Sequence, residues 1–156
     1  MEKTNVMRIL TQKKVPYTPH YYDPGTTDGM SVAALTGSDP AAVFKTLVTI
    51  GASKQHYVFV IPVCRELDLK KAAKAVGEKS IAMIRQAELL PLTGYIHGGC
   101  SPLGMKKQLK TIIDQSARDL PLMLVSAGKV GAQVELAPGD LAGLARAEFI
   151  SVTAPE

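Results

Sequence analysis

Two consecutive runs of β-branched and aromatic residues constrain the fold of this chain more than any other feature. They are Lys45–Ile50 and Tyr57–Pro62, and the polar stretch Gly51-Ala52-Ser53-Lys54 lies between them. Such residues favour strands, and glycine with polar residues favours the turn that joins two strands. The pattern therefore predicts a β-hairpin, or two adjacent strands, near the middle of the sequence.

Helices and strands are mixed along the rest of the chain, without regular βαβ alternation. The predicted helices are Asn5–Gln12, a short one capped by Ser31 and stopped by Gly37, Leu69–Val76 between Asp68 and Gly77, Gln86–Leu90 ended by Pro91, and Leu141–Arg146. The further strands or extended segments are Tyr17–Tyr22, Ser80–Ile84, Leu122–Ser126, Gln133–Leu136 and Phe149–Val152. We expect one α/β (α+β-like) domain over residues 1–156, with a curled mixed β-sheet flanked by helices.

Composition excludes several classes of protein. Hydrophobic residues make up 46% and charged residues 21% of the 156 residues, which is typical of a globular domain and not of a disordered chain. No apolar stretch approaches the roughly 18 residues of a membrane span, and the first residues do not resemble a signal peptide. We expect a cytoplasmic protein that does not enter a membrane.

The residues that usually bind metals are dispersed. Cys64 and Cys100 are far apart, and the three histidines, His20, His56 and His97, lack the spacing of a zinc site. We expect no metal, no other cofactor and no structural disulfide.

The positive charge is concentrated in two clusters. The net charge is +4, and the lysines gather at Lys70, Lys71 and Lys74 and at Lys106, Lys107 and Lys110. Each cluster alone fits a solvated helix face, whereas two clusters around a glycine-rich loop favour a polyanionic partner. Both interpretations remain open at this point.

One lysine lies inside an apolar run. Lys45 and Thr46 interrupt the stretch from Val43 to Val48. A lysine in such a strand is costly to desolvate unless it is paired, so Lys45 is either an active-site ammonium or a side chain that reaches solvent from a sheet edge. The run alone favours the second interpretation.

Two glycine-containing segments could bring backbone N–H groups close to a ligand. They are Gly98-Gly99-Cys100-Ser101-Pro102, called the glycine loop below, and Ser126-Ala127-Gly128-Lys129. Such groups suit an oxyanion, a carbonyl or a phosphate, although either segment alone also fits a tight connection. No nucleophile elbow, Walker loop or dinucleotide fingerprint occurs, and Cys100 as a nucleophile has only His97 as a nearby base.

The three segments together resemble a known family. Phe44-Lys45-Thr46-Leu47, Gly98 to Gly104 and Ser126 to Gly131, in this order and spacing, are similar to the YbaK/EbsC family of aminoacyl-tRNA deacylases. The resemblance is strongest to its free-standing bacterial type, which deacylates Cys-tRNA(Pro), and covers nearly the whole chain. It implies a fold related to the editing domain of bacterial prolyl-tRNA synthetases.

The resemblance also implies a function and a set of site residues. The chain would hydrolyse the ester between cysteine and tRNA(Pro), in a complex with prolyl-tRNA synthetase, and the substrate's own thiol would attack the ester, so Cys100 is not catalytic. Lys45 matches the family's essential lysine. Substrate-binding positions match Tyr21, Met30, Thr46, Gly98, Gly99, Cys100, Ser101, Pro102, Ser126 and Gly128. An aromatic residue is common in the family where this chain has Met30.

Two other functions remain open from the sequence. Family members with another specificity, such as Ala-tRNA(Pro), share the lysine and the Gly-x-x-x-Pro loop. A non-catalytic tRNA-binding or adaptor module on the same fold would also carry the basic clusters. A panel of aminoacyl-tRNAs distinguishes a Cys-tRNA(Pro) deacylase from an editor of another specificity. Binding of tRNA without ester hydrolysis would indicate the non-catalytic module.

Overall fold

The computed structural model describes residues 3–25 and 28–155. The helices are α1 Asn5–Gln12, α2 Gly29–Leu35, α3 Leu69–Val76, α4 Gln86–Thr93 and α5 Pro138–Ala145, with a 3₁₀ helix at Gln115–Asp119. The strands are β1 Thr18–Tyr21, β2 Phe44–Gly51, β3 His56–Pro62, β4 Ile81–Met83, β5 Lys110–Asp114, β6 Met123–Lys129, β7 Ala132–Leu136 and β8 Glu148–Ile150. Among the described residues, no helix combines the length and the apolar character that crossing a membrane requires.

The strands form two sheets that meet at one edge of β2. The larger sheet has the order β4-β2-β3-β5-β8, and the smaller one has the order β1-β7-β6. β2 and β3 form the predicted antiparallel hairpin, while β3–β5 and β5–β8 are parallel pairs. A parallel bridge between Val43 and Leu124 joins the sheets. The expected mixed α/β architecture is therefore confirmed, with the strands divided between these two sheets.

Two helices have the predicted bounds, because local signals determine their ends. α1 has the predicted range, and the Thr4 side chain accepts a hydrogen bond from the Met7 N–H at its start. At α3, the Asp68 side chain accepts from two backbone N–H groups, and Gly77 ends the helix with a left-handed φ of 73°. Caps of this kind satisfy backbone groups that the helix itself leaves unpaired.

The other three helix predictions were wrong at their ends, and α5 begins at Pro138, three residues before the predicted Leu141. α2 begins at Gly29, and its cap is Asp28, which accepts from the backbone N–H of Ser31, so Ser31 is not the cap. α4 does not end at Pro91 but continues to Thr93. Pro91 is exposed and lies in the second turn, so it removes only the donor that would face the carbonyl of Ala87 near the start of the helix.

Two features of the strands were not predicted. β5 lies inside the larger sheet and begins at Lys110, so the cluster of Lys106, Lys107 and Lys110 is not on a helix face. β6 continues through Ser126 to Lys129 with a register shift relative to β7. The segment Ser126-Ala127-Gly128-Lys129 is thus a bulged strand end and not a loop.

The buried side chains separate into clusters that the sheets divide. A large cluster lies between α1, α5 and inner faces of both sheets, and α3 covers a second cluster on the other face of the larger sheet. A third, small cluster under α2 consists of Ala33, Val43, Val63 and Leu124. This third cluster surrounds the bridge between the sheets, and the candidate site opens beside it.

Candidate active site

The site lies beside the N-terminal half of β2, which has β3 on one side but no neighbouring strand on its outer side. On its outer side, β2 pairs with β4 at Thr49–Gly51, and the bridge to β6 is at Val43. Between these points, residues 44–47 form what we call the open edge, since no strand of the described chain pairs with them there. A cavity of about 350 Å³ opens at this edge, lined by Tyr22, Asp28, Gly29, Val32, Phe44, Lys45, Thr46, Leu47, Val63, Leu89, His97, Gly98, Cys100, Ser126 and Gln133.

The open edge directs backbone polar groups towards this cavity. The carbonyl of Val43 accepts from Val63 on the β3 side, whereas the carbonyls of Ala42 and Val48 accept from Leu124 and Ile84 on the outer side. In an antiparallel strand, the N–H and C=O of one residue point to the same side, and the side alternates along the strand. The N–H and C=O of Thr46 therefore point to the unpaired side, where a ligand can bond them.

Lys45 brings a positive charge to the cavity. Its side chain is half-buried, and no hydrogen bond or ion pair joins it to another residue of the described chain. The nearby Asp28 carboxylate has a pKa below its usual value, mainly because of the Ser31 hydroxyl and backbone bonds and, more weakly, because of the Lys45 charge. The ammonium of Lys45 thus remains available to a polar ligand.

Two buried acceptors along the cavity have no hydrogen-bond partner within the described residues. They are Oγ1 of Thr46 and Oε1 of Gln133. Gln133 is only 6% exposed and lies directly opposite Ser126 in the β6–β7 ladder. Because buried polar atoms in native proteins nearly always have a partner, such atoms are typical of a site that a ligand or water completes.

The glycine loop forms the opposite wall. Gly98 has a left-handed φ of 86°, which favours glycine, and Gly98 and Cys100 both line the cavity. Gly99 lies behind them, where an added Cβ would come within 3.0 Å of the backbone nitrogen of Val130. The loop is therefore held tightly against the β6–β7 turn.

The remaining residues of the glycine loop pack behind the cavity wall. Ser101 is fully buried, and its Oγ accepts a hydrogen bond from the Leu103 N–H at 3.3 Å. Pro102 is buried beside it. Gly99, Ser101 and Pro102 do not line the cavity themselves, so within this loop only Gly98 and Cys100 are placed to touch a ligand there.

The Cys100 thiol is in an environment that disfavours its reactive form. The residue is 8% exposed, and burial raises the pKa of the thiol to about 12. Only a thiolate is a strong nucleophile, and a group with this pKa stays protonated near neutral pH. Cys100 thus contributes packing and shape to the wall.

Three further residues expected around the substrate lie outside the cavity. Tyr21 donates a hydrogen bond to Sδ of Met7 at 3.9 Å and borders a neighbouring cavity of about 210 Å³. Met30 is 45% exposed on α2, and Gly128 lies where an added Cβ would contact Tyr95. The structure therefore brings together Lys45, Thr46, Gly98, Cys100 and Ser126, but not Tyr21, Met30, Gly99, Ser101, Pro102 and Gly128.

The sequence analysis did not identify Tyr22, Asp28 or Gln133 as cavity residues. Tyr22 directly follows the last residue of β1 and borders both cavities, whereas Tyr21 contacts Met7 of α1. Asp28 stands before a helix as a cap, which is a signal that the sequence carries. Gln133 is a polar residue within a buried strand, which is also a recognisable signal.

The described residues contain no group of three or more His, Cys, Asp or Glu side chains that could hold a metal ion.

Comparison with known proteins shows what the chain is similar to. Residues 23–144 match the aminoacyl-tRNA editing domain family. A curated protein of Enterococcus faecalis, EbsC, named as a candidate Cys-tRNA(Pro)/Cys-tRNA(Cys) deacylase, is 44% identical over 157 aligned positions, which cover 99% of this chain and 96% of that protein.

Solved structures share the fold. The hypothetical protein APE2540 has a TM-score of 0.88 at 22% identity, with 98% of this chain and 100% of that chain covered. A structure described as a candidate trans-editing enzyme for prolyl tRNA synthetase has a TM-score of 0.84 at 23% identity, covering 96% of this chain and 95% of that one. From the family match and the EbsC relative, the chain belongs to the aminoacyl-tRNA editing domain family, as its motifs indicated.

Proposed function

We propose that this protein is a trans-editing deacylase that removes cysteine from mischarged Cys-tRNA(Pro). The family membership and the name of the EbsC relative support an aminoacyl-tRNA ester as the substrate. The observation that carries the proposal is the Lys45 ammonium, which borders the cavity without a partner in the described chain. The reaction belongs in the cytoplasm, where aminoacyl-tRNAs are made.

Lys45 acts by orienting and stabilising the reacting ester. Attack on the carbonyl carbon moves negative charge onto the carbonyl oxygen, and a fixed ammonium and N–H groups stabilise that charge. Lys45 provides the ammonium, and the outward-pointing N–H of Thr46 provides a backbone donor nearby. An aminoacyl ester is already activated, so positioning and electrostatic stabilisation supply most of what the reaction needs.

The substrate's own thiol is the nucleophile in this proposal. Its sulfur bonds to the ester carbon, the bond to the terminal ribose oxygen breaks, and that oxygen takes up the proton that the thiol lost. The product is a cyclic thioester of cysteine, which water then hydrolyses to the free amino acid. The protonated state of Cys100 is consistent with this route, since no thiolate of the protein is then needed.

A panel of aminoacyl-tRNAs tests the proposed activity. Wild-type protein should release cysteine from Cys-tRNA(Pro) and leave Pro-tRNA(Pro) intact, and Lys45→Ala beside it should not. Cys100→Ala should stay active, whereas its inactivity would indicate a nucleophile from the protein. Preferential release of alanine from Ala-tRNA(Pro) would replace the cysteine assignment.

A second experiment tests the role of the substrate thiol. Ser-tRNA(Pro) has a hydroxyl group, a much weaker nucleophile, at the position of the sulfur, and we expect it to resist cleavage. S-methylcysteinyl-tRNA(Pro) keeps the sulfur but cannot cyclise to a stable neutral product, so it should resist as well. Rapid cleavage of both would favour attack by water on an ester held by Lys45.

Recognition of tRNA(Pro) is assigned to a complex with prolyl-tRNA synthetase. The domain is small, and aromatic residues make up only 5% of the sequence, so it offers little surface for stacking on bases. The two lysine clusters then contribute phosphate contacts that depend on salt. Addition of the synthetase should lower KM for Cys-tRNA(Pro), and an unchanged KM would remove this partner from the proposal.

A further inference from the structure

One carboxylate, that of Asp28, lines the cavity together with the Lys45 ammonium. Asp28 and Lys45 are the oppositely charged side chains that line it within the described chain. They are near enough for the Lys45 charge to lower the pKa of the Asp28 carboxyl. The site therefore has a negative side and a positive side.

One oxygen of the Asp28 carboxylate is already used by α2. The backbone N–H and the hydroxyl of Ser31 both donate to Oδ2, at 3.1 Å and 2.9 Å. A carboxylate has lone pairs on both oxygens, so Oδ1 can accept from a ligand while Oδ2 caps the helix. The capping bonds also fix the direction in which the carboxylate points.

An aminoacyl ester matches these two charges. It has an electron-rich carbonyl oxygen and, one carbon away, an α-amino group that is half protonated at its pKa of roughly 8 and mostly protonated below it. Lys45 repels an ammonium group and attracts the carbonyl oxygen. Asp28 attracts the ammonium group, so only one orientation of the ester satisfies both charges.

Resting on the proposed deacylase function, we propose that Asp28 binds the α-ammonium group of the aminoacyl ester and makes the enzyme selective for a free amino group. Esters with a blocked amino group, as in peptidyl-tRNA, are then poor substrates. The selectivity protects chains in the course of synthesis from release. It comes from a charge on the enzyme and does not depend on the amino-acid side chain.

Two variants and two substrates separate binding from folding. Asp28→Asn removes the charge, yet asparagine caps helices about as well as aspartate, so α2 should be retained. Ser31→Ala removes one bond to Oδ2 but leaves the charge, and serves as the matched control. The substrates are Cys-tRNA(Pro) and mercaptolactyl-tRNA(Pro), in which a hydroxyl group of similar size replaces the amino group.

The expected result is a loss of discrimination. Wild type and Ser31→Ala should prefer the cysteinyl ester by about tenfold in kcat/KM, the value of one charge-assisted hydrogen bond. Asp28→Asn should cleave both esters with the lower kcat/KM that wild type shows for the mercaptolactyl ester. Calorimetric binding of a non-cleavable cysteinyl amide of 3′-amino-adenosine should weaken by a similar factor in Asp28→Asn.

Two outcomes would overturn the assignment to Asp28. One is a preference of Asp28→Asn for the cysteinyl ester that equals that of wild type. The other is equal cleavage of both esters by wild type. Failure of wild type to cleave Cys-tRNA(Pro) at all would instead contradict the proposed function. The calorimetric comparison then decides on Asp28, and equal binding by wild type and Asp28→Asn would overturn its role.

Discussion

The two halves of β2 have the same backbone conformation but different surroundings. The C-terminal half, at Thr49–Gly51, has β4 on one side and β3 on the other, whereas the open edge at residues 44–47 has β3 alone. Thr49 is fully buried and donates to the carbonyl of Tyr57 at 3.0 Å, but the buried Oγ1 of Thr46 has no partner in the described chain. The half with satisfied bonds supports the sheet, and the unsatisfied half is available to a ligand.

The largest expected effect is on the chemistry at the open edge. Lys45→Ala should lower kcat/KM for Cys-tRNA(Pro) by about 100-fold or more, as loss of an oxyanion-stabilising group does in other enzymes. Its free energy of unfolding should change by less than about 0.5 kcal/mol, because no hydrogen bond or ion pair to the described residues is lost. Urea unfolding beside a deacylation assay measures both, and a large loss of stability would make Lys45 a structural residue.

The two threonines give a matched pair of substitutions. Thr49→Val should lower the free energy of unfolding by about 1–2 kcal/mol, because it removes a buried hydrogen bond to Tyr57. Thr46→Val should lower it by less than about 0.5 kcal/mol or raise it, since a buried hydroxyl without an acceptor partner is lost. Equal destabilisation in urea unfolding would mean that the two halves are not energetically different.

The stability that comes from the region around the C-terminal half of β2 should also depend on acid. Glu78 accepts from the backbone N–H and hydroxyl of Ser53 and from the Tyr57 hydroxyl at 2.6 Å, and these bonds, that of the Ser53 hydroxyl first, hold its pKa below the usual value. A lowered pKa stabilises the fold above the unfolded-state pKa, and this contribution is lost as the pH falls through the folded-state pKa.

Wild type should therefore lose more stability than Glu78→Gln between about pH 6 and about pH 3. Urea unfolding across this range measures the difference. Ser53→Ala, which removes the first of the bonds that lower the pKa, should give an intermediate loss. Parallel curves for wild type and Glu78→Gln would show that these bonds do not favour the charged carboxylate.

The smallest expected effect concerns the two lysine clusters. Lys106 donates its N–H to the carbonyl of Thr93 at the end of α4, the helix whose Leu89 lines the cavity, whereas Lys70 and Lys74 lie on α3. Reversing the charges of Lys106 and Lys107 should raise KM a few-fold and reduce its salt dependence, roughly one unit of slope per phosphate contact. The same charge reversal at Lys70 and Lys74 provides the comparison. If neither pair of reversals changed KM or its salt dependence, both clusters would be solubilising surfaces.

Local signals in the sequence predicted the elements with well-defined ends. The bounds of α1 and α3 and the β2–β3 hairpin follow from caps, helical spacing and β-branched runs. β5 was missed because its apolar residues, Ile112 and Ile113, form a very short run just after a stretch that contains three lysines. The segment is nevertheless a strand, because it is buried inside the sheet. This tertiary effect outweighs the local preference of the lysines for an exposed segment.

The candidate site was predictable only in part. Motifs pointed to Lys45, Thr46, Gly98, Cys100 and Ser126, and all five line the cavity. The sequence does not reveal which strand lacks a neighbour, nor which of two adjacent tyrosines faces the cavity, because a shift of one residue reverses every side chain of a strand. Tyr22 and Gln133 could be placed only once the register of β1, β6 and β7 was known.

The bridge between Val43 and Leu124 has a geometric consequence for the choice of substrate. Lys45 and Ser126 each lie two residues beyond the bridge on parallel segments, a distance of about 7 Å along each strand. Pairing between the two segments is confined to this bridge, and the cavity lies between them beyond it. In the proposed reaction, the angle between the two backbones therefore sets the size of amino acid that fits beside the Lys45 ammonium.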